Sequence, residues 1–169
     1  LGQRITHVGF ALESCEKLAD DAVLDLEVTT NRPDCLSHLG VAREAGAIYG
    51  LTLRKPHFKL KEGARHASDV FSITIDDADL CGRYCGRYIS GVKIGPSPDW
   101  LRKRLEALGV RSINNVADIT NYVMMELGHP MHAFDADKLE GRQIIVRPAT
   151  AGEKLTTLDG VERPLNPSI

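Results

Sequence analysis

At 169 residues, the chain is long enough for one full domain and at most a small extra piece, against about 150 residues per domain. Its 43% hydrophobic residues can offset the entropy of ordering, which excludes wholesale disorder, and no apolar run approaches the ~18 residues of a membrane span. A formal net charge of −2 excludes a uniformly basic nucleic-acid binder, but not a local basic patch.

The chain opens Leu1-Gly2-Gln3-Arg4 and ends Pro167-Ser168-Ile169, which reads as a piece excised from a longer protein. No basic segment precedes an apolar core with a small-residue cleavage site, so no signal peptide is expected. Residues 23–30 alternate apolar and polar and predict a half-buried strand. Asn31-Arg32-Pro33-Asp34 turns the chain, with Pro33 steering Arg32 away from helix. The apolar spacing over residues 36–49 predicts a helix that ends at a left-handed Gly50. A polar stretch follows at 54–68, and a domain boundary is expected there.

Beyond it, residues 70–75 alternate as a strand, and residues 84–94 are rich in β-favouring types. Ser97-Pro98-Asp99 predicts a helix start, with Ser97 as cap and Leu101, Leu105 and Leu108 buried, stopping at Gly109. A second helix is expected over residues 115–127, burying Val116, Ile119, Val123 and Leu127 and stopping at Gly128. Residues 143–147 read as a strand, and residues 155–165 as a hairpin around Asp159-Gly160, a pair suited to a two-residue connection. The fold class is therefore α+β.

Charge is unevenly spread. Residues 1–30 carry net −4, whereas residues 81–112 carry net +5, with Arg102-Lys103-Arg104 in succession. Such a stretch suits a polyanion, although a solvated helix face would look the same. The four cysteines, at 15, 35, 81 and 85, are too sparse for a disulfide scaffold and lack a second pair at zinc spacing. Free thiols in a reducing cytoplasm are expected, with a Cys81–Cys85 bridge as the alternative.

The densest polar constellation runs from Arg111 through Asn114, Asn115, Asp118, Thr120 and Asn121, and continues at His129 and His132. Two amides, a hydroxyl and a carboxylate within one helix are poor helix formers and costly to bury unpaired. Either the backbone or a ligand must satisfy them. Asn114 and Asn115 suit capping, and Asp118 suits tying a loop. Thr120 and Asn121 lie beyond the capping turn and are the better ligand candidates. His132 follows by a short turn, so it could return to face Asn121 and there orient a water or a ribose hydroxyl. His129-x-x-His132 is a weak metal spacing with Pro130 between the imidazoles, so no metal is expected.

Several motifs also carry a resemblance. Thr30-Asn31-Arg32-Pro33-Asp34-Cys35-Leu36, Ser97-Pro98-x-Trp100-Leu101, Asn114-Asn115-Val-x-Asp118-Ile-Thr120-Asn121-Tyr122 and His129-Pro-Met-His132-Ala-Phe134-Asp135 are similar, in order and spacing, to the β subunit of bacterial phenylalanyl-tRNA synthetases. The resemblance implies that residues 1–55 belong to a small N-terminal α/β piece, 56–68 to a linker, and 69–169 to the first part of a layered, mixed α/β editing domain. It implies an (αβ)2 heterotetramer with a synthetase α subunit and a second β subunit, acting on tRNA(Phe) in the cytoplasm and away from membranes. No cofactor is implied in this stretch, since ATP and magnesium serve the complete synthetase.

The implied reaction is hydrolysis of tyrosine mistakenly joined to tRNA(Phe). Tyrosine exceeds phenylalanine by one hydroxyl, so a pocket cannot reject the correct residue by size and must reward that hydroxyl with a hydrogen bond. By resemblance, Thr120, Asn121 and His132 surround the terminal adenosine, the ester and the water, with Arg111 at the pocket edge. The family's glycine-rich loop and hydroxyl-reading glutamate are expected beyond Ile169. Two other readings compete: a non-catalytic tRNA-docking module, and a metal-dependent hydrolase built on His129, His132 and Asp135.

Overall fold

The computed structural model describes residues 1–19, 21–157 and 159–166. The chain divides into two units, one formed by Leu1–Leu60 with Lys93–Ala133 and the other by Lys61–Val92 with Phe134–Ile169. The α+β class expected from the sequence is what is found.

In the first unit, α1 (Gly2–His7) leads into an antiparallel hairpin of β1 (Ala11–Lys17) and β2 (Ala22–Glu27), which pairs Leu12 with Leu26 and Cys15 with Leu24. Sequence reading left β1 unassigned because most of its side chains are exposed. A strand solvated on both faces shows no alternation, and the backbone ladder to β2 holds it. Ile5, Phe10 and Cys35 form a small core, packed by Leu26, Val28, Val41 and Ile48. Over it, Arg32 stacks 5.1 Å from the Phe10 ring centroid and ion-pairs with Asp34 and Glu44.

Helix α2 (His38–Tyr49) starts two residues later than expected. The Ser37 hydroxyl accepts from the Gly40 N–H at 3.2 Å, and Leu36 stays outside the helix, largely exposed. Gly50 ends it at φ 64°, as expected. Gly40 is forced by packing: a Cβ there would stand 1.7 Å from the Asp34 carbonyl oxygen.

Helices α3 (Asp99–Ala107) and α4 (Asn115–Leu127) complete this unit. Leu101 and Leu105 are buried as expected, but Leu108 is exposed, because the helix has already ended and Leu108 lies in its terminal turn. Ser97 does not cap α3. Pro98 takes that position without a side-chain bond, and the Ser97 hydroxyl donates to Asp118 instead. In α4 the expected burial of Ile119 fails: it is half exposed, and Asp118 is the residue turned fully inward.

α4 is tied to α2 at its C-terminal end. His38 Nδ1 lies 3.0 Å from the Met125 carbonyl oxygen, and since a carbonyl only accepts, Nδ1 carries the proton. This satisfies one of the four carbonyls that a helix end leaves without intrahelical partners. Gly128 stops α4 at φ 77°, and a Cβ there would meet the Ser37 side chain at 3.2 Å. Gly128→Ala is therefore expected to cost about 1–2 kcal/mol, chiefly from the left-handed backbone. Urea denaturation would show this as a lower midpoint with an unchanged slope; an unchanged midpoint would refute it.

In the second unit, β3 (Ser72–Ile75) pairs in parallel with β4 (Gln143–Val146), Ile73 opposite Ile144. β5 (Lys154–Thr156) and β6 (Glu162–Pro164) form the expected hairpin. Its connection is longer than two residues: the Thr157 N–H reaches the Val161 carbonyl, and Gly160 turns at φ 77°. Residues 84–94 form no strand, despite their β-favouring composition. Propensity needs a ladder partner, and none of the described strands pairs with them. All four cysteines are free thiols. Among the described residues, no helix is long and apolar enough to cross a membrane.

Candidate functional site

An open groove of about 340 Å³ lies along one face of α4. Val116, Ala117 and Thr120 form its helical side, because Thr120 lies three and four positions from the other two and such positions are neighbours on a helix. Met131, His132 and Ala133 line it from the segment that returns after Gly128, and Ile94 and Asn114 close it near the start of α4. The wall is apolar over most of its extent, with one hydroxyl, one imidazole and one carboxamide.

The hydrogen bonds define what those groups can offer. Thr120 Oγ1 donates to the Ala117 carbonyl at 2.7 Å, so its proton is committed and its lone pairs remain as acceptors. Asn114 Oδ1 accepts from the Val116 and Ala117 N–H groups, each at 3.0 Å, capping α4 as the sequence suggested. That leaves the amide nitrogen of Asn114 as its remaining donor. Asn115 does not cap: its side chain bridges back to the Gly95 N–H and the Lys93 carbonyl.

Of the four residues proposed from sequence, the structure brings Thr120 and His132 together along the groove. Asn121 is half-buried and one helical step from Thr120, outside the lining residues. Arg111 is exposed in the segment before α4 and does not line the groove either.

Asp118 is the residue that sequence reasoning undervalued. Completely buried, it accepts from the hydroxyls of Ser97 and Ser112, each at 2.5 Å, and from the Ile113 N–H at 2.9 Å. Burial pushes its pKa upward, but the Ser112 and Ser97 hydroxyls and the Ile113 and Asn114 N–H groups outweigh it and hold the carboxyl below its ordinary value. The ionised side chain thus fastens the segments before α3 and α4 to the opposite side of the helix from the groove. Its partner Ser97 is 21 residues away in sequence, so no local signal announced it.

A second polar cluster is structural. Asp34, Cys35 and Glu44 bring three possible metal-ligand atoms within 4.8 Å of one another. Arg32 already supplies the cation there, bonding Asp34 at 3.0 Å, Glu44 at 2.5 Å and the Cys35 sulfur at 3.3 Å. The guanidinium holds the Asp34 carboxyl down at about 2, while burial pushes the Cys35 thiol up, opposite to what metal ligation needs.

A family model described as the B3/4 domain matches residues 80–169, a range that includes all the residues lining the groove. The chain is 51% identical over 162 residues to a phenylalanine–tRNA ligase beta subunit of Anaeromyxobacter dehalogenans, covering 96% of this chain and 20% of that protein. It is 54% identical over 160 residues to the corresponding subunit of Carboxydothermus hydrogenoformans, covering 94% of this chain and 19% of the relative. For Geobacter metallireducens the identity is 54% over 148 residues, covering 88% and 18%. The chain thus spans about a fifth of the length of the curated relatives it matches. On this match over more than half its length, and on identities near one half, the chain belongs to the phenylalanine–tRNA ligase β subunit family, in the region of its B3/4 domain.

Proposed function

We propose that the groove on α4 receives the aminoacylated 3′ end of tRNA(Phe) and takes part in hydrolysing tyrosine wrongly attached to it. The observation that carries this reading is the meeting of Thr120 and His132 across an open, mostly apolar groove within the B3/4 match. In this reading residues 1–55 belong to the N-terminal β-subunit domain, 56–68 link, and 69–169 open the editing domain. The partners are the α subunit and a second β subunit in the cytoplasm.

The chemistry needs no covalent intermediate. A water held at the His132 imidazole attacks the ester carbonyl carbon; the new C–O bond forms as the ester C–O bond breaks. Tyrosine leaves as the free acid and the tRNA regains its ribose hydroxyl, with the imidazole passing the proton from water toward that oxygen. Thr120 accepts a hydrogen bond from a ribose hydroxyl or the water, the one role its committed proton leaves open. Asn121, beside it, and Arg111, at the edge, hold the nucleotide. Most of this is positioning, which is where such sites gain most of their rate.

The test is deacylation of tyrosyl-tRNA(Phe) by the complete ligase carrying these residues, wild type against His132→Ala with Asn121→Ala. An unchanged rate removes the site assignment. Loss of tRNA affinity without loss of hydrolysis per bound tRNA favours the non-catalytic docking module instead.

A further inference from the structure

The basic stretch around α3 is left unused by the groove, which lies on another face of α4. Successive residues of a helix turn by about 100°, so Lys103, Ala107, Trp100 and Arg104 share one face of α3. The acids of this helix are elsewhere: Asp99 and Glu106 lie on the adjoining flank, where Arg102 binds both, at 3.2 and 2.9 Å. The face around Trp100 therefore carries two exposed cations and no carboxylate of its own helix.

Trp100 itself is 56% exposed, yet it is firmly braced. Tyr122 of α4 meets it edge-on, with centroids 5.5 Å apart and planes at 89°. The Arg104 guanidinium lies 6.0 Å from the indole centroid and donates to the Tyr122 hydroxyl at 3.0 Å. That hydroxyl donates in turn to Glu126 at 3.3 Å. A braced indole, more than half exposed and flanked by Lys103 and Arg104, combines the two contacts by which proteins hold unpaired nucleotides: base stacking and phosphate neutralisation.

We propose that the Trp100–Lys103–Arg104 face is an RNA-docking surface on which an unpaired base of the tRNA stacks, separate from the groove that handles the ester. The inference takes its choice of RNA from the reading above but does not require that the groove hydrolyse anything. Charge favours a polyanion here, since the face carries Lys103 and Arg104 and no carboxylate of its own helix, and the exposed indole favours a polyanion with bases to stack.

The experiment uses the complete ligase and tRNA(Phe) substituted with 4-thiouridine. Irradiation is expected to crosslink the peptide containing Trp100. Trp100→Ala should weaken tRNA binding at least about fivefold, the lower end for one lost stacking partner, with Trp100→Phe within about twofold of wild type. Lys103→Gln with Arg104→Gln should flatten the salt dependence of affinity. Absence of the crosslink, or unchanged affinity in Trp100→Ala, overturns the proposal. So does dissociation of the subunits by Trp100→Ala with tRNA affinity per assembled ligase unchanged, which would make this face a protein contact. Tyrosyl-tRNA hydrolysis at saturating tRNA reads the groove alone, so failure of either site is seen separately.

Discussion

Hydrolysis of tyrosyl-tRNA(Phe) by the complete ligase is expected to fall at least about a hundredfold when His132→Ala and Asn121→Ala are combined. That is the lower end of what a positioned proton-transfer group contributes. Phenylalanine attachment by the same complete ligase should stay within about twofold, so the loss cannot be put down to a collapsed assembly. The single variants should differ in kind. His132→Ala removes the group that orders the water and should lower kcat. Asn121→Ala, from a residue beside the groove, should mainly raise KM for the mischarged tRNA. Thr120→Ser keeps an oxygen able to make the same bond to the Ala117 carbonyl and should retain most activity, whereas Thr120→Val should not. A double variant with the wild-type rate would show that the groove is not the reaction site.

The largest effect on stability is expected from Asp118→Ala. Removing the carboxylate leaves two serine hydroxyls and the Ile113 N–H facing a buried gap. Stranding donors in the interior costs more than the bonds themselves contributed, and about 3 kcal/mol is expected. For a chain of this size that corresponds to a Tm lower by about 6–12 °C. Asp118→Asn keeps one acceptor oxygen and should lose less. The pH dependence follows from the depressed native pKa. The stability owed to ionised Asp118 is complete above its ordinary value of 3.8 and is lost as pH falls below it through the lower native value. The gap between wild type and Asp118→Asn in urea titrations should therefore be full at pH 7 and shrink as the pH falls below about 4. A gap that stays constant across that range would disprove the charged network.

Local rules made part of this legible. Gly50 and Gly128 were readable as helix ends because a left-handed turn after an apolar run has few other occupants. Asn114 was readable as a cap for the same kind of reason, its partners being two and three residues away. The errors arose where a distant partner decides. Ser97 sits where a cap belongs, but a carboxylate 21 residues downstream takes its hydroxyl. Ile119 fits the apolar stripe of α4, yet the helix is rotated by the demand of Asp118 for three donors. Residues 84–94 have strand propensity without a described strand beside them, and the solvated β1 has a strand without the propensity pattern. The short return after Gly128 made His132 readable as facing this helix, but at Asn121, whereas Thr120 is the residue that lines the groove with it. That Asn121 would lie outside the groove's lining depended on a helical step that composition does not reveal.

The bond from His38 to the Met125 carbonyl spans 87 positions of the chain, and this has a consequence for biosynthesis. Helix α2 is made long before the helix it will clamp. At about 5–20 residues per second, translation needs roughly 4–17 s to supply the missing partner. During that interval residues 61–92, which belong to the other unit, must leave the ribosome while the first unit is still incomplete. The Ile5–Phe10–Cys35 core and the Arg32 ion pairs need only residues already synthesised, so they can hold α2 in place while it waits. The N-terminal stretch thus serves the nascent chain as a docking platform for α4, and the groove takes shape only when α4 and the segment returning through His132 have emerged.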